Sequence, residues 1–318
     1  MRSLAMLLAA AAAIAAAPAS AAVLTDMSVY TVGNYTAFGG ANIAGRVAVG
    51  GNMVNQSDNI GTALTSADNN LPTVIVGGDL TYNYATIQHG SVVYGGQNLS
   101  ESYLPNRVQT PNGTTSQGNP INFVQRSTGV ISTASTLAGL TPTGTFSEFQ
   151  NNSIGRLEGV TAGATSIFTL TRDDLYSIQT LRLLGTSDAT SQVIINIGGT
   201  SITSSFVLDL NGLVDANRVL VNFYEATSLD LNGVQLPGTL LAPNARVALN
   251  GGRIGDGVVA GSISANTATI AGVGDFQLSP GAAAVPEPAA WLLMIGGFGL
   301  VGFMLRRPNA LLWGGASA

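Results

Sequence analysis

The sequence contains no cysteine among its 318 residues, and all twelve of its basic residues are arginine because lysine is absent. Without cysteine, the folded protein has no disulfide bond to stabilise it. His89 is the single histidine. One histidine cannot form a histidine-rich metal site. A catalytic triad that uses a histidine base would have His89 as its one candidate. We therefore expect no metal and no cofactor.

Charged residues are also scarce, at 9% of the chain. Between Ala22 and Val285 there are nine arginines and sixteen acidic residues, a formal net charge of −7 (9 minus 16). Because nucleic-acid binding relies on basic side chains that neutralise phosphates, this balance argues against a nucleic-acid partner. The 46% of hydrophobic residues exceeds what a disordered chain carries, and forty glycines indicate a β-rich protein with many turns.

The N-terminus has the three parts of a secretory signal peptide. Met1 and Arg2 form a short positive region, and residues 4–17 are uniformly apolar. Ala19-Ser20-Ala21 then provides the small residues that signal peptidase requires. We interpret residues 1–21 as a signal peptide read by the Sec export machinery, and we expect the mature chain to begin at Ala22.

A second apolar segment lies near the C-terminus. Residues 289–305 carry no charge, and Arg306 and Arg307 follow them directly. As a helix, this segment would span roughly 26 Å, close to the thickness of a bilayer's hydrocarbon core. Arginines remain on the cytoplasmic side of a membrane, so everything before residue 285 is predicted to lie outside the cytoplasm.

The sequence Val285-Pro286-Glu287-Pro288 stands immediately before this predicted membrane helix. Together with the apolar segment and the arginine pair, it resembles the PEP-CTERM sorting signal of Gram-negative bacteria over residues 285–307. The resemblance implies an exosortase-type peptidase that cuts near the box, an inner-membrane intermediate, and final delivery to the cell surface or medium. A plain membrane anchor behind a proline hinge is the alternative. Signals of this kind usually end soon after the arginines, whereas this sequence continues through residues 308–318.

Between these signals, short β-branched segments end repeatedly in glycine pairs. Thr73–Val76 precedes Gly77-Gly78, and Ser91–Tyr94 precedes Gly95-Gly96, 18 residues later. A spacing near twenty predicts a β-solenoid over residues 22–281, in which each coil is buried by stacking on the next. A β-sandwich, whose turns recur every 8–12 residues, is the alternative. The positions predicted to point inward are Val47, Val49, Val74, Val76, Val92, Val207, Leu208, Val219, Val221, Leu240 and Ile270.

One helix is predicted around residues 121–140, where apolar residues recur at near-helical spacing and Gly139 stands near the end. These apolar residues are Phe123, Val124, Val130, Ile131, Leu137 and Leu140. The helix would cover one flank of the solenoid against edge pairing. The predicted fold is thus mainly β: a solenoid with one flanking helix, plus the signal helix and the C-terminal membrane helix. Asn222, Asn232 and Asn250, near strand ends, are expected to stack as hydrogen-bonded side chains.

Three segments carry a further family resemblance: residues 45–52, residues 219–229, and residues 238–245 with the block Leu241-Ala242-Pro243-Asn244-Ala245. They are similar to the choice-of-anchor A domain, which occurs with several surface-attachment signals. That family is grouped with adhesive domains of the ice-binding type, so the resemblance implies an adhesive β-solenoid. It has no agreed catalytic residues, and it implies none here.

Candidate ligand contacts are few. Tyr82, Tyr84 and Tyr94 offer rings that can stack on a sugar. Glu225 follows a strand within the second segment, where we expect it either to cap backbone amides or to contact a ligand.

Two functions from different classes remain open. The first is a non-catalytic adhesive module of the cell surface or extracellular matrix, associated with exopolysaccharide in a biofilm. The second is a secreted polysaccharide-cleaving enzyme, since β-solenoids can carry pairs of catalytic carboxylates. Acidic residues are sparse in the predicted coils, and this favours the first.

Overall fold

The computed structural model describes residues 26–100, 108–149, 153–274 and 276. The predicted signal peptide and its cleavage residues lie outside these ranges, and so do the box at 285–288, the helix at 289–305, the arginine pair and the tail. Those assignments remain predictions. Within the described ranges, no helix is both long enough and apolar enough to cross a membrane.

The first half of the domain consists of short strands of β-branched and small residues separated by tight turns. They are β1 (Val29–Thr31), β2 (Tyr35–Ala37), β3 (Asn42–Ile43), β4 (Val47–Val49), β5 (Met53–Gln56), β6 (Asn59–Ile60), β7 (Pro72–Val76), β8 (Leu80–Asn83), β9 (Ala85–Ile87), β10 (Ser91–Tyr94), β11 (Val108–Gln109) and β12 (Thr115–Gln117).

A helix, α1 (Phe123–Ala138), precedes the second half. The strands that follow are β13 (Thr145–Phe149), β14 (Ile154–Val160) and β15 (Thr165–Thr171), and after the short helix α2 (Arg172–Leu175) come β16 (Thr180–Gly185), β17 (Gln192–Gly198), β18 (Ser201–Ser204), β19 (Val207–Asp209), β20 (Val219–Asn222), β21 (Ser228–Asn232), β22 (Gln235–Leu236), β23 (Thr239–Asn250), β24 (Arg253–Ile254), β25 (Val258–Asn266) and β26 (Thr269–Ile270).

Strands of successive coils pair in parallel and form three faces; β13, at the end of the third face, instead pairs with β14 in antiparallel fashion. The helix-covered face runs β12-β10-β7-β4-β1, then through the first parts of β25 and β23 to β20-β17-β15. The open face runs β8-β5-β2, then through the second parts of β25 and β23 to β21-β18. The third face runs β11-β9-β6-β3-β26-β24-β22-β19-β16-β14-β13. Parallel stacking of this kind confirms the predicted solenoid; the sandwich alternative, built from antiparallel sheets, is wrong.

The order of the coils in space differs from their order along the chain. β1 pairs with β4 on one side and with β25 on the other, so the first and last coils are neighbours. The backbone N–H of Asp26 donates to the carbonyl of Gly274 at 2.8 Å, which brings the two ends of the described domain together. The chain therefore starts in the middle of the solenoid with β1 and winds towards the end formed by β10 and β12. It then crosses to the opposite end, at β13 to β15, and winds back until β25 reaches β1.

Helix α1 lies along the helix-covered face. Asn122 begins it by accepting a hydrogen bond from the backbone N–H of Gln125. Val130, Ala134 and Leu137 pack on the outward apolar side chains of this face, which are Tyr30, Ala48, Ile75, Ile194, Leu220, Leu241 and Val259. The predicted helix is confirmed, but Val124, one of its apolar residues, is exposed.

Two buried asparagines attach the C-terminal end of α1 to the sheet. The Asn196 side-chain amide donates to the carbonyl of Leu137 at 2.8 Å, and that of Asn222 donates to the carbonyl of Ala134 at 2.9 Å. Asn222 also donates to Oδ1 of Asn196 at 2.8 Å. The carbonyl of Leu137 also accepts a bond from the backbone N–H of Leu140, so the asparagines add a second contact that ties the last turns of the helix to the sheet and pairs their own buried amides. Asn250 likewise donates to Asn232 at 3.0 Å, so the predicted asparagine stacking is confirmed.

The interior is formed by the inward side chains of all three faces. Of the eleven positions predicted to point inward, ten are at most 2% exposed. Val207 is the exception at 40% exposure, whereas its neighbour Leu208 is 2% exposed. Consecutive strand residues point to opposite sides, so both cannot face the core, and the prediction for Val207 is wrong.

The number of residues per coil varies because of a local insertion. Asn34 and Asn52 occupy equivalent corners 18 residues apart, as do Asp79 and Gln97. Asn52 and Asp79, however, are 27 residues apart, because a loop with a 3₁₀ turn at Ser66–Asp68 separates β6 from β7. At these corners a side-chain oxygen of each coil accepts a hydrogen bond from a backbone N–H of the next coil, at 2.8–2.9 Å. Insertions thus change the coil length without breaking the stack.

Candidate binding face

The open face presents one outward side chain from each of its stacked strands in a single row. Strand register places Thr36 beside Ser264 on one side and beside Val54 on the other. The full row, in spatial order, is Thr203, Asp230, Ala248, Ser264, Thr36, Val54 and Thr81. With adjacent strands about 4.8 Å apart, its six intervals span roughly 29 Å.

The row makes a low, hydrated surface because its side chains are short. All seven are partly or fully exposed, and Asp230 alone among them is charged. The inward partners on the same strands are apolar and buried, among them Ile263, Val247 and Leu229. Alternation along each strand therefore fixes which residues face solvent, and packing beneath holds them rigidly in register.

A shallow depression of about 370 Å³ interrupts the open face. It is lined by Asn34, Thr36, Phe38, Arg246, Ser262, Ile263 and Ser264. The phenyl ring of Phe38 is 61% exposed, and the guanidinium of Arg246 is exposed as well. The depression thus combines an aromatic ring, a cation and several hydroxyls, the groups that a sugar-binding site uses.

This depression lies where the two ends of the domain meet. Its residues come from β2 and its flanks in the first coil, and from β25 and β23 in the last two. At the adjoining corner the N–H of Gly33 donates to the carbonyl of Gly261 at 2.7 Å. A Cβ at residue 33 would stand 3.0 Å from that carbonyl oxygen, so glycine permits the close approach of the coils. Sequence reasoning missed this site, because the contributing segments are far apart along the chain.

Tyr82 does not belong to the surface. Its side chain is 0% exposed and points into the solenoid, where its hydroxyl has no hydrogen-bond partner within the described residues. Burial raises the pKa of this phenol well above its ordinary value, and the nearby Asp58 carboxylate raises it further. The expectation that Tyr82 lies on the surface to contact a ligand is therefore wrong.

The other two tyrosines lie apart from the depression. Tyr84, between β8 and β9, is 58% exposed and has φ of 57°. Tyr94, at the end of β10, is partly buried against the core. The structure brings neither residue into the lining of the depression. A ligand contact by Tyr84 or Tyr94 remains a prediction.

Glu225 lies in the turn between β20 and β21, at the corner that leads to the open face. Its Oε2 accepts a hydrogen bond from the backbone N–H of Gly199 at 3.0 Å. Because the side chain is exposed, this bond caps a surface turn of the neighbouring coil rather than a buried one. The contact accounts for an acidic residue at this position, and a ligand role remains a prediction.

The open face offers hydroxyl groups, an exposed aromatic ring and single charges. No group of three or more His, Asp or Glu side chains within the described ranges comes together as a metal site would require. The surface can therefore adhere through many weak contacts, and its most distinctive local feature is the depression beside Arg246.

Comparison with protein families gives two matches. The ice-binding-like adhesive domain matches residues 20–271, and the PEP-CTERM protein-sorting motif matches residues 284–307. The second match implies processing by an exosortase-type machinery and supports export to the cell surface. A comparison with curated proteins yields no match.

Several solved structures are similar at low sequence identity. One is the ice-binding protein of the Antarctic ascomycete Antarctomyces psychrotrophicus, with 14% identity, a TM-score of 0.41, and coverage of 81% of this chain and 97% of that one. Another, from an Arctic yeast, has 11% identity, a TM-score of 0.37 and coverage of 84% and 98%. A third, from an Antarctic bacterium of the Flavobacteriaceae, has 11% identity, a TM-score of 0.34 and coverage of 82% and 99%.

The adhesive-domain match spans most of the chain and coincides with the described solenoid, while the sorting motif follows it. The protein therefore belongs to the ice-binding-like adhesive domain family.

Proposed function

We propose that this protein is a non-catalytic adhesive module, sorted to the cell surface, whose open face binds extracellular polysaccharide of a biofilm matrix. The observation that carries the proposal is the row from Thr203 to Thr81, a rigid, low surface about 29 Å long. Its members are short, and hydroxyl groups predominate. Assignment to the choice-of-anchor A group, which combines such domains with sorting signals, is part of the same proposal.

A hydrated polymer suits this surface for a physical reason. Each hydroxyl offers one donor and two acceptor positions, so successive sugars can each form a weak hydrogen bond along the row. A single contact contributes little net free energy, because it replaces a bond to water. Many copies displayed on one cell would bind many segments of one polymer, and avidity would then exceed the affinity of any single domain.

Retention on the producer's own matrix tests the proposal. The full-length gene is expressed with its own signals, and the exported protein is incubated with purified extracellular polysaccharide. Ala248 lies in the middle of the open-face row, so Ala248→Glu should reduce retention by placing a bulky charge there. The matched control is Thr269→Glu, a partly exposed strand position on the third face. It should bind like the unmodified protein.

The enzyme alternative predicts a different outcome in the same experiment. An adhesive module leaves the polymer length unchanged, whereas a hydrolase or lyase shortens the polymer with time. The acidic residues to replace are Glu225 and the neighbouring pair Asp173 and Asp174 in α2. Shortening that is abolished by replacing any of them would overturn the proposal in favour of catalysis. Equal retention of the unmodified protein and of Ala248→Glu would exclude the open face as the binding surface.

A further inference from the structure

Arg246 differs from several other arginines in having no partner. Arg182 pairs with Asp209, Arg126 pairs with Asp26, and Arg46 donates to the carbonyl of Pro72. Arg156 lies over the ring of Phe149, 4.0 Å from its centroid. Within the described ranges, the guanidinium of Arg246 has neither an ion pair nor a hydrogen bond. Its five N–H donors are therefore available to a ligand.

The surroundings of Arg246 are suited to an anion. None of the seven residues that line the depression is acidic. Thr36, Ser262 and Ser264 contribute hydroxyls for which the described residues provide no side-chain hydrogen-bond partner. The exposed ring of Phe38 provides an apolar surface in the same depression. A cation, free hydroxyls and an aromatic ring thus converge in about 370 Å³, within the usual range for ligand pockets.

We infer that the depression around Arg246 binds a carboxylate-bearing sugar, so that the polysaccharide recognised by the open face is an acidic one. This inference rests on the proposed function and names the ligand class. The planar guanidinium fork matches a carboxylate through two parallel hydrogen bonds. The hydroxyls of Thr36, Ser262 and Ser264 would bond the ring hydroxyls of the same sugar, while Phe38 packs against its C–H face.

Because the protein is negatively charged overall, its binding of an acidic polymer would depend on this local site. The chain has a formal net charge of −5, so an acidic polymer is not attracted by the molecule as a whole. On the open-face row itself the charged residue is Asp230, which neighbours Ala248. Binding of an acidic polymer must then depend on Arg246, and neutralising Asp230 should strengthen it.

A second arginine provides a matched control. Arg253 lies on the third face in a depression of similar size, about 360 Å³. Its lining is largely apolar and has no hydroxyl side chain; it consists of Leu208, Ala216, Gln235, Leu236, Pro237, Arg253 and Gly255. Replacing either arginine by glutamine removes the same charge from an exposed position. Only the change at Arg246 should affect binding.

The experiment compares two forms of one polymer. The exported protein, Arg246→Gln and Arg253→Gln are titrated against polygalacturonate and against fully methyl-esterified polygalacturonate, which has the same backbone without the charge. We expect the protein to prefer polygalacturonate, and Arg246→Gln to weaken that binding about tenfold or more, as loss of a charge-assisted pair does. Arg253→Gln should bind like the unmodified protein. Raising the salt concentration should weaken binding to the acidic form alone.

The outcomes separate this inference from the proposed function. If the protein is retained on the producer's matrix but binds both polymer forms equally, or if Arg246→Gln equals Arg253→Gln, the acidic specificity is wrong while the adhesive role stands. If polygalacturonate is not bound at all, the inference is likewise overturned. If no retention occurs on the matrix either, the proposed function fails as well.

Discussion

The hydroxyl of Tyr35 donates a hydrogen bond of 2.7 Å to Oδ2 of Asp58, and both side chains are buried inside the solenoid. The other carboxylate oxygen accepts a 2.7 Å bond from the backbone N–H of Ala41. Desolvation is the largest influence on this carboxyl group, and it raises the pKa of Asp58 above the ordinary 3.8; the two hydrogen bonds oppose this without cancelling it.

This raised pKa predicts that stability declines as pH rises. Between pH 3.8 and the higher pKa of the folded state, the native protein holds a proton on Asp58 that the unfolded chain has released. Its contribution to stability is therefore complete below the ordinary pKa and is lost as pH rises through the folded pKa. Thermal unfolding from pH 4 to 7 should show the stability of the unmodified protein falling relative to Asp58→Asn.

Tyr35→Phe provides a second variant for the same measurement. Because the Tyr35 hydroxyl lowers the pKa of Asp58, its removal should extend the loss of stability to higher pH. Parallel stability curves for all three proteins across this range would contradict the assignment of the titration to Asp58.

A pair of valines tests the inward and outward positions of the coils. Val221 is 1% exposed within the core, so Val221→Ala should lower the free energy of unfolding by about 2–3 kcal/mol through lost transfer energy and a cavity. Val207 is the same residue type on an outward position, and Val207→Ala should cost at most about 0.5 kcal/mol. Chemical denaturation measures both, and equal losses would refute the register.

The attachment of helix α1 predicts an asymmetry between two asparagines. Asn222→Ala leaves the carbonyl of Ala134 and Oδ1 of Asn196 without this buried donor, which should cost roughly 1–3 kcal/mol. Asn232 stacks with Asn250 at an exposed corner, where water can replace the lost bond. Asn232→Ala should therefore cost less than Asn222→Ala in the same denaturation experiment, and the reverse order would contradict this account of the helix contact.

Processing at the C-terminus predicts the mass of the exported protein. Because the sorting motif matches residues 284–307, the surface or medium form should end near Val285 to Pro288. Mass spectrometry of its C-terminal peptide provides the measurement. Recovery of an intact tail containing Trp313 would show that the segment is an ordinary anchor.

Local patterns predicted the β elements and the helix because they depend on short-range physics. Alternating β-branched residues and glycine corners indicated strands around Val47, Val74 and Val92, and the spacing near 18 residues indicated stacked coils. Polarity alone did not reveal side-chain direction, because a shift of one residue exchanges the two faces. Val207 was assigned inward for that reason, and the buried Tyr82 was named as a possible ligand contact.

By itself, the sequence determined that the protein is a repetitive β structure without disulfides, and it predicted a helix around residues 121–140 with Gly139 near its end. Each of these properties depends on residues close together in the chain. Only the tertiary structure decided that the first coil pairs with the last, and therefore that Arg246, Ser264 and Thr36 share one depression. That arrangement depends on which parallel strands pair across more than two hundred residues, a choice made by packing of the whole domain rather than by any local pattern.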